Sequence, residues 1–132
     1  MPPTRQFIQN CAALQGRLRV GELEPGVRVA RGFADLGFEL FMILSPHKMV
    51  SLYTGKSVEI AETEHAQLVP VPSPDELVDL ISRNNFDIDG LHFIEQRYWR
   101  LTLRDVKSGA QQPFEAATLE EVLLKGLVYS LG

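Results

Sequence analysis

Residues 69–85 read VPVPSPDELVDLISRNN, and the reading of this stretch decides the class of the fold. Pro70, Pro72 and Pro74 stand at alternate positions. Each ring locks its own φ and drives the preceding residue toward extended backbone, so the chain enters this stretch extended. The extension then stops at a helix start. Ser73 is a candidate N-cap, Pro74 suits the first helical position, and Glu76, three residues on from Ser73, completes a capping box. Leu77, Val78, Leu80 and Ile81 form the apolar stripe of the helix that follows. We read the prolines as a joint inside one domain, because apolar strand-like sequence lies tight against them on the N-terminal side.

On that N-terminal side the period is close to two. RLRV (17–20), VRVARGF (27–33), FELFMIL (38–44), MVSLYT (49–54) and SVEIAE (57–62) read as strands. EPG, ADLG, SPHK and TGK separate them. On the C-terminal side come LHFIE (91–95), RYWRLTLRD (97–105) and PFEAA (113–117), after a turn at DIDG. A last helix opens at Thr118, answered by Glu121, with Leu119, Val122, Leu123, Leu127 and Leu131 at helical spacing. A first helix follows Thr4, with Phe7, Ile8, Cys11, Ala12 and Leu14 on one side and Gly16 to end it. Regular strand–helix alternation is missing, which argues against a doubly wound parallel sheet. The expectation is an α+β protein: a mainly antiparallel sheet with N-terminal, central and C-terminal helices packed on it. One domain over 1–132 is expected, strand-rich over 17–72 and helix–strands–helix over 73–132.

Composition sets the outer limits. A chain of 132 residues with 45% apolar and 23% charged residues matches an ordinary globular domain. Its single cysteine, Cys11, rules out an intrachain disulfide and suits a reducing, cytoplasmic setting. The N-terminal sixteen residues do not have the pattern of a signal peptide, and the apolar run FELFMIL, interrupted by Glu39, is too short to span a bilayer. Net charge is −4. Residues 1–32 carry five arginines against two glutamates, and the remaining hundred carry eight basic and fifteen acidic side chains. That balance argues against bulk nucleic-acid binding while leaving room for a local basic face.

TGKS (54–57) resembles the end of a phosphate-binding loop. Such a loop needs glycine five residues before Gly55, where Val50 stands, and a helix after the lysine and serine. VSLY before it favours a strand, and VEIAETE after it alternates. We read a hairpin. A three-residue loop pairs Leu52 with Val58 and Val50 with Ile60. A two-residue Gly55-Lys56 loop would set Leu52 against Glu59. The first keeps apolar residues on one face and is the expected register.

Other chemistry-bearing residues are weighed in the same way. RYWRLTLRD puts Trp99, Leu101 and Leu103 on one face and Tyr98, Arg100, Thr102 and Arg104 on the other. A face of Tyr98, Arg100 and Arg104 can stack bases and hold phosphates, although a solvated outer face explains it as well. Arg17, Arg19 and Arg28 would extend it if the N-terminal strands lay alongside. His47, His65 and His92 are scattered, and Glu62 and Glu64 near His65 make only a fragment of a metal site. Cys11 on an apolar helix side is structural. Asp87 and Asp89 in FDIDG belong to a turn, since the later ligands of a calcium loop are absent. Neither a nucleophile elbow nor a His-Glu-x-x-His motif is present. No catalytic, cofactor or metal residue is assigned, and no cofactor is expected.

YWRLTLRDVKSGAQQPFEAATLEEVLLKGLVYSL (98–131), preceded by LVPVPSPDELVDLI (68–81), resembles small uncharacterised phage- and prophage-type bacterial proteins with sheet-and-helix sandwich domains. The resemblance implies a Trp-bearing strand in a sandwich and carries no catalytic residue. The functional expectation is a non-enzymatic bacterial or phage-derived interaction module acting by protein–protein contact or self-association. Two alternatives stand beside it: a nucleic-acid-associated protein using Tyr98, Arg100 and Arg104, and an immunity-type inhibitor whose acidic surface caps a basic toxin.

Overall fold

A computed structural model of the chain describes residues 3–14, 24–33 and 37–132. The expected strand at 17–20, Arg17, Arg19 and the helix stop at Gly16 lie outside the described residues. The α+β class holds: three helices accompany two antiparallel sheets, one of five strands and one of three. The chain divides into two compact units, Met1–Pro72 and Ser73–Gly132, so the border falls within the proline stretch.

In the first unit, helix α1 (Arg5–Ala13) starts at Thr4, whose side chain accepts from the Phe7 N–H. Its Phe7, Ile8 and Cys11 are buried, and it packs against β2 and β5. The strands are β1 (Arg28–Phe33), β2 (Gly37–Ser45), β3 (Lys48–Ser51), β4 (Ser57–Glu59) and β5 (Val69–Pro70), in the order β4-β3-β2-β1-β5. A 3₁₀ turn at Glu62–Gln67 links β4 to β5. Val29, Phe41, Ile43, Met49, Ile60 and Leu68 form one buried cluster, with Val27 and Val58 against it. Phe41 and Ile43 put one face of β2 in that cluster, while Leu40 on the opposite face is buried too. A strand covered on both faces reads as a continuous apolar run, which is the character of FELFMIL.

The β3–β4 hairpin corrects the expected register. Lys48 faces Glu59, Met49 faces Val58 and Val50 faces Ser57. The Ser51 N–H donates to the Lys56 carbonyl at 2.9 Å, leaving 52–55 as the loop. The cause is Ser51 itself. Its buried hydroxyl accepts from the N–H groups of Tyr53 and Thr54, each at 3.2 Å, and so starts the turn earlier than the apolar pattern suggests. Gly55 at φ +74 completes it. The register puts Met49 and Val58 at the core and leaves Leu52 42% exposed. A short strand, not a helix, follows Gly55-Lys56-Ser57, which removes the phosphate-loop reading.

The second unit runs α2 (Pro74–Arg83), β6 (Phe86–Ile94), β7 (Tyr98–Asp105), β8 (Gln111–Ala116) and α3 (Leu119–Ser130), with β7 central. The capping box forms as expected: Ser73 Oγ accepts from the Glu76 N–H, and the Glu76 carboxylate accepts from the Ser73 N–H. Thr118 Oγ1 likewise accepts from the Glu121 N–H. Asn85, at φ +66, takes the left-handed position after α2 that asparagine tolerates. FDIDG is not a turn: Phe86 to Gly90 are the first half of β6, with a register shift between Ile88 and Gly90 that leaves Asp89 as the extra residue. That bulge lets two acidic residues lie within a strand. Leu77, Ile81, Leu101, Leu103, Val122, Leu123 and Leu127 are buried. Helix α2 packs on β6 and α3, and α3 on β7 and β8. Asn84 Nδ2 donates to Ser130 Oγ at 3.0 Å, joining the C-terminal ends of α2 and α3.

Candidate functional site

The expected site residues lie on β7, and cross-strand pairing decides what they can do. Arg100 faces His92 on β6 and Glu115 on β8. Its Nη2 and Nε both donate to Glu115 Oε1, at 2.9 and 3.1 Å, and Nη2 also donates to the Tyr98 hydroxyl at 3.3 Å. The guanidinium carbon stands 5.9 Å from the Tyr98 ring centre. The Glu115 hydrogen bond, followed by the charge interaction with Tyr98, holds the Arg100 pKa above its ordinary value.

Arg104 faces Asp87 and Gln111. Its Nη2 donates to Asp87 Oδ2 at 3.0 Å, and its Nε lies 3.3 Å from Asp89 Oδ1. Gln111 Nε2 donates to the other Asp89 oxygen at 2.7 Å. The bulge at Asp89 is what places a second carboxylate beside the same arginine. Tyr98, Arg100 and Arg104 therefore share one face, as the alternation predicts, and both guanidinium groups are already matched by Glu115, Asp87 and Asp89. Exposed pairs of this kind are worth little in stability, but they use up the charge that a phosphate would need. Arg28 belongs to the first unit, where its Nη2 donates to the Pro72 carbonyl at 3.2 Å.

The β6–β7 hairpin tip carries features that the sequence reading missed. The Arg97 N–H donates to the Ile94 carbonyl at 2.9 Å across Glu95 and Gln96, whose φ values are +51 and +55. Positive φ at both central positions is the signature of a type I′ turn, normally built from Asn and Gly. Glu and Gln each sit there at a cost of about 1–2 kcal/mol. Beside the tip, Phe93 faces Trp99 across the strands, with ring centres 5.1 Å apart. Leu101 and Leu103, on the Trp99 side of β7, are fully buried, whereas Phe93 is 49% exposed. The strand pattern IEQRYW held no turn residue to reveal the strain, so only the hairpin register could have shown this pair.

His65 Nε2 lies 2.7 Å from the Pro46 carbonyl. Among the described residues no group of three or more His, Cys, Asp or Glu is placed to hold a metal ion. Cys11 is buried in α1. Among the described residues no helix is long and apolar enough to cross a membrane. Comparison of the chain with protein-family models, curated proteins and solved structures finds no match in any of the three.

Proposed function

We propose that the chain is a non-enzymatic interaction module, of bacterial or phage origin and cytoplasmic, that works through protein–protein contact or self-association at the β6–β7 tip. The observation that carries the reading is the coincidence, at one tip, of the exposed Phe93 ring on Trp99 with two non-glycine residues at positive φ. Aromatic anchors dominate interface energetics, and backbone strain gathers where a segment is kept for contact instead of stability. The lone buried cysteine supports the cytoplasmic setting, and the sandwich resemblance supports the origin.

The nucleic-acid reading has weaker support, since Arg100 and Arg104 would each have to exchange a carboxylate for a phosphate. The inhibitor reading draws on the second unit, where ten acidic side chains face six basic ones, but its acidic groups are partly spent on those same arginines.

Two measurements test the proposal together. Sedimentation velocity over a wide concentration range reads self-association, and a photo-crosslinking amino acid in place of Phe93 reads contact with another protein in the cell of origin. A mass that rises with concentration in the wild type but not in Phe93→Ser supports the proposal, as does one adduct of defined mass. A monomer at every concentration with no adduct removes it. Measured turnover, or a cofactor that copurifies tightly, would remove its non-enzymatic part.

A further inference from the structure

The β6–β7 tip also carries two charges that the second unit leaves unmatched. Glu95 and Arg97 stand on either side of Gln96, and all three are exposed. Among the described residues neither Glu95 nor Arg97 makes an ion pair or a side-chain hydrogen bond. The adjoining sheet face is different: Arg100 is tied to Glu115, and Arg104 to Asp87 and Asp89. The turn, closed by the Arg97 N–H on the Ile94 carbonyl at 2.9 Å, keeps both unmatched residues next to the Phe93–Trp99 pair.

One small patch thus presents a half-exposed aromatic ring and charges of both signs that are free to pair. The two charges cancel, so the patch selects no partner of a single net sign. It is complementary to itself. Turned about a two-fold axis, its acidic group meets its basic group twice. We infer that the partner at this tip is a second copy of the chain, joined by a two-fold contact. In that contact Phe93 meets Phe93, and Glu95 of each copy pairs with Arg97 of the other. The inference rests on the reading of the tip as an association surface, and it names the partner. The rings supply the attraction, and the two ion pairs fix the orientation. A contact of this size belongs to the weak, transient class of interfaces.

Charge reversal tests it by sedimentation velocity of the full chain at concentrations up to about 1 mM. The wild type should self-associate. Glu95→Arg sets arginine against arginine at both pairs, and Arg97→Glu sets glutamate against glutamate. Each should weaken dimerisation about tenfold, since two exposed pairs each worth about threefold are lost. An equimolar mixture of the two variants restores opposite charges at both pairs. It should associate as the wild type does, which also shows that both variants are folded. Net charge cannot mimic this pattern. The two reversals move the net charge of −4 by two in opposite directions, so a net-charge effect would strengthen one variant and weaken the other. Any pattern other than weakening by both reversals and recovery in the mixture overturns the inference. The tip reading then stands if the wild-type dimer depends on Phe93. A wild type that is monomeric throughout also overturns the inference, and the tip reading then stands only on a Phe93 crosslink to another protein.

Discussion

Gly126→Ala separates tertiary packing from helix propensity by the sign of its effect. Gly126 is buried within α3. Judged on propensity alone, alanine there would stabilise the helix by about 1 kcal/mol. The structure opposes this. A Cβ on Gly126 would stand 2.5 Å from Leu101 Cδ2, 3.2 Å from Leu103 Cδ1 and 3.6 Å from Ile81 Cδ1. Carbon pairs settle at about 3.5–4.0 Å, so the Leu101 methyl must retreat by roughly 1 Å or α3 must lift from the sheet. Leu101, Leu103 and Ile81 have no exposed surface, so the methyl has no open space to enter. Overpacking of this kind costs about 1–3 kcal/mol, and a 2.5 Å approach belongs in the upper part of that range. After the propensity gain, the net destabilisation is about 1–2 kcal/mol. For a urea slope of about 2 kcal/mol per molar, the midpoint falls by roughly 0.5–1 M. Trp99, the one tryptophan, sits on β7 in the same unit and reports the transition by fluorescence. A midpoint that rises would refute the reasoning, because it would mean that the methyl is accommodated. Combining Gly126→Ala with Leu101→Ala supplies a second check: the added methyl then occupies vacated space, so the pair should be destabilised by less than the sum of the single effects.

Ser73→Ala and Thr118→Ala each remove an N-cap and should each lower unfolding free energy by about 1 kcal/mol in the same urea assay. Ser51→Ala withdraws the acceptor from the Tyr53 and Thr54 amides; we expect a loss of about 1–2 kcal/mol and faster hydrogen exchange at those two amides. Replacing Glu95-Gln96 with Asn-Gly relieves two left-handed non-glycine residues and should raise stability by at least about 1 kcal/mol while keeping the Arg97–Ile94 hydrogen bond. Unchanged stability would show that the tip is not strained. At about 50 mM salt the wild type should not retard mixed oligonucleotides, because its β7 arginines are paired. Salt-dependent retardation abolished by Arg100→Ala/Arg104→Ala would restore the nucleic-acid reading.

Local chemistry made much of the fold legible. Thr4, Ser73 and Thr118 mark their helix starts because each cap is a contact within four residues, visible in sequence. The alternation of RYWRLTLRD placed Leu101 and Leu103 inward and Tyr98, Arg100 and Arg104 together on the other face. What escaped depends on partners far along the chain. FDIDG has the composition of a turn and becomes a strand because β7 offers it a backbone ladder, Phe86 facing Asp105, Ile88 facing Leu103 and Gly90 facing Thr102. VSLYTGKS is the local exception: apolar matching favours one register and the glycine position another, and the hairpin adopts neither, because the Ser51 hydroxyl fixes the turn first. The pairing of Arg100 with Glu115, fifteen residues on, could not be read from the charge pattern of one strand.

The strand edges narrow how any association would occur. In the first unit the edge strands are β4, of three residues, and β5, of two residues ending in Pro70. In the second unit β8 carries Pro113, and β6, though nine residues long, is interrupted at Asp89. Short length, proline and a bulge are devices that deny an edge to another chain. All four described edges have one of them. The Asp89 carboxylate is also tied to Arg104 and Gln111, which anchors the interruption of β6 from the sheet face. Strand addition is thus opposed at every described edge, and the open face of the second sheet is occupied by its own ion pairs. An aromatic ring half out of the core beside a strained turn meets neither obstacle. Contact through the Phe93 side chain, without extension of either sheet, is the mode of association that these features leave open.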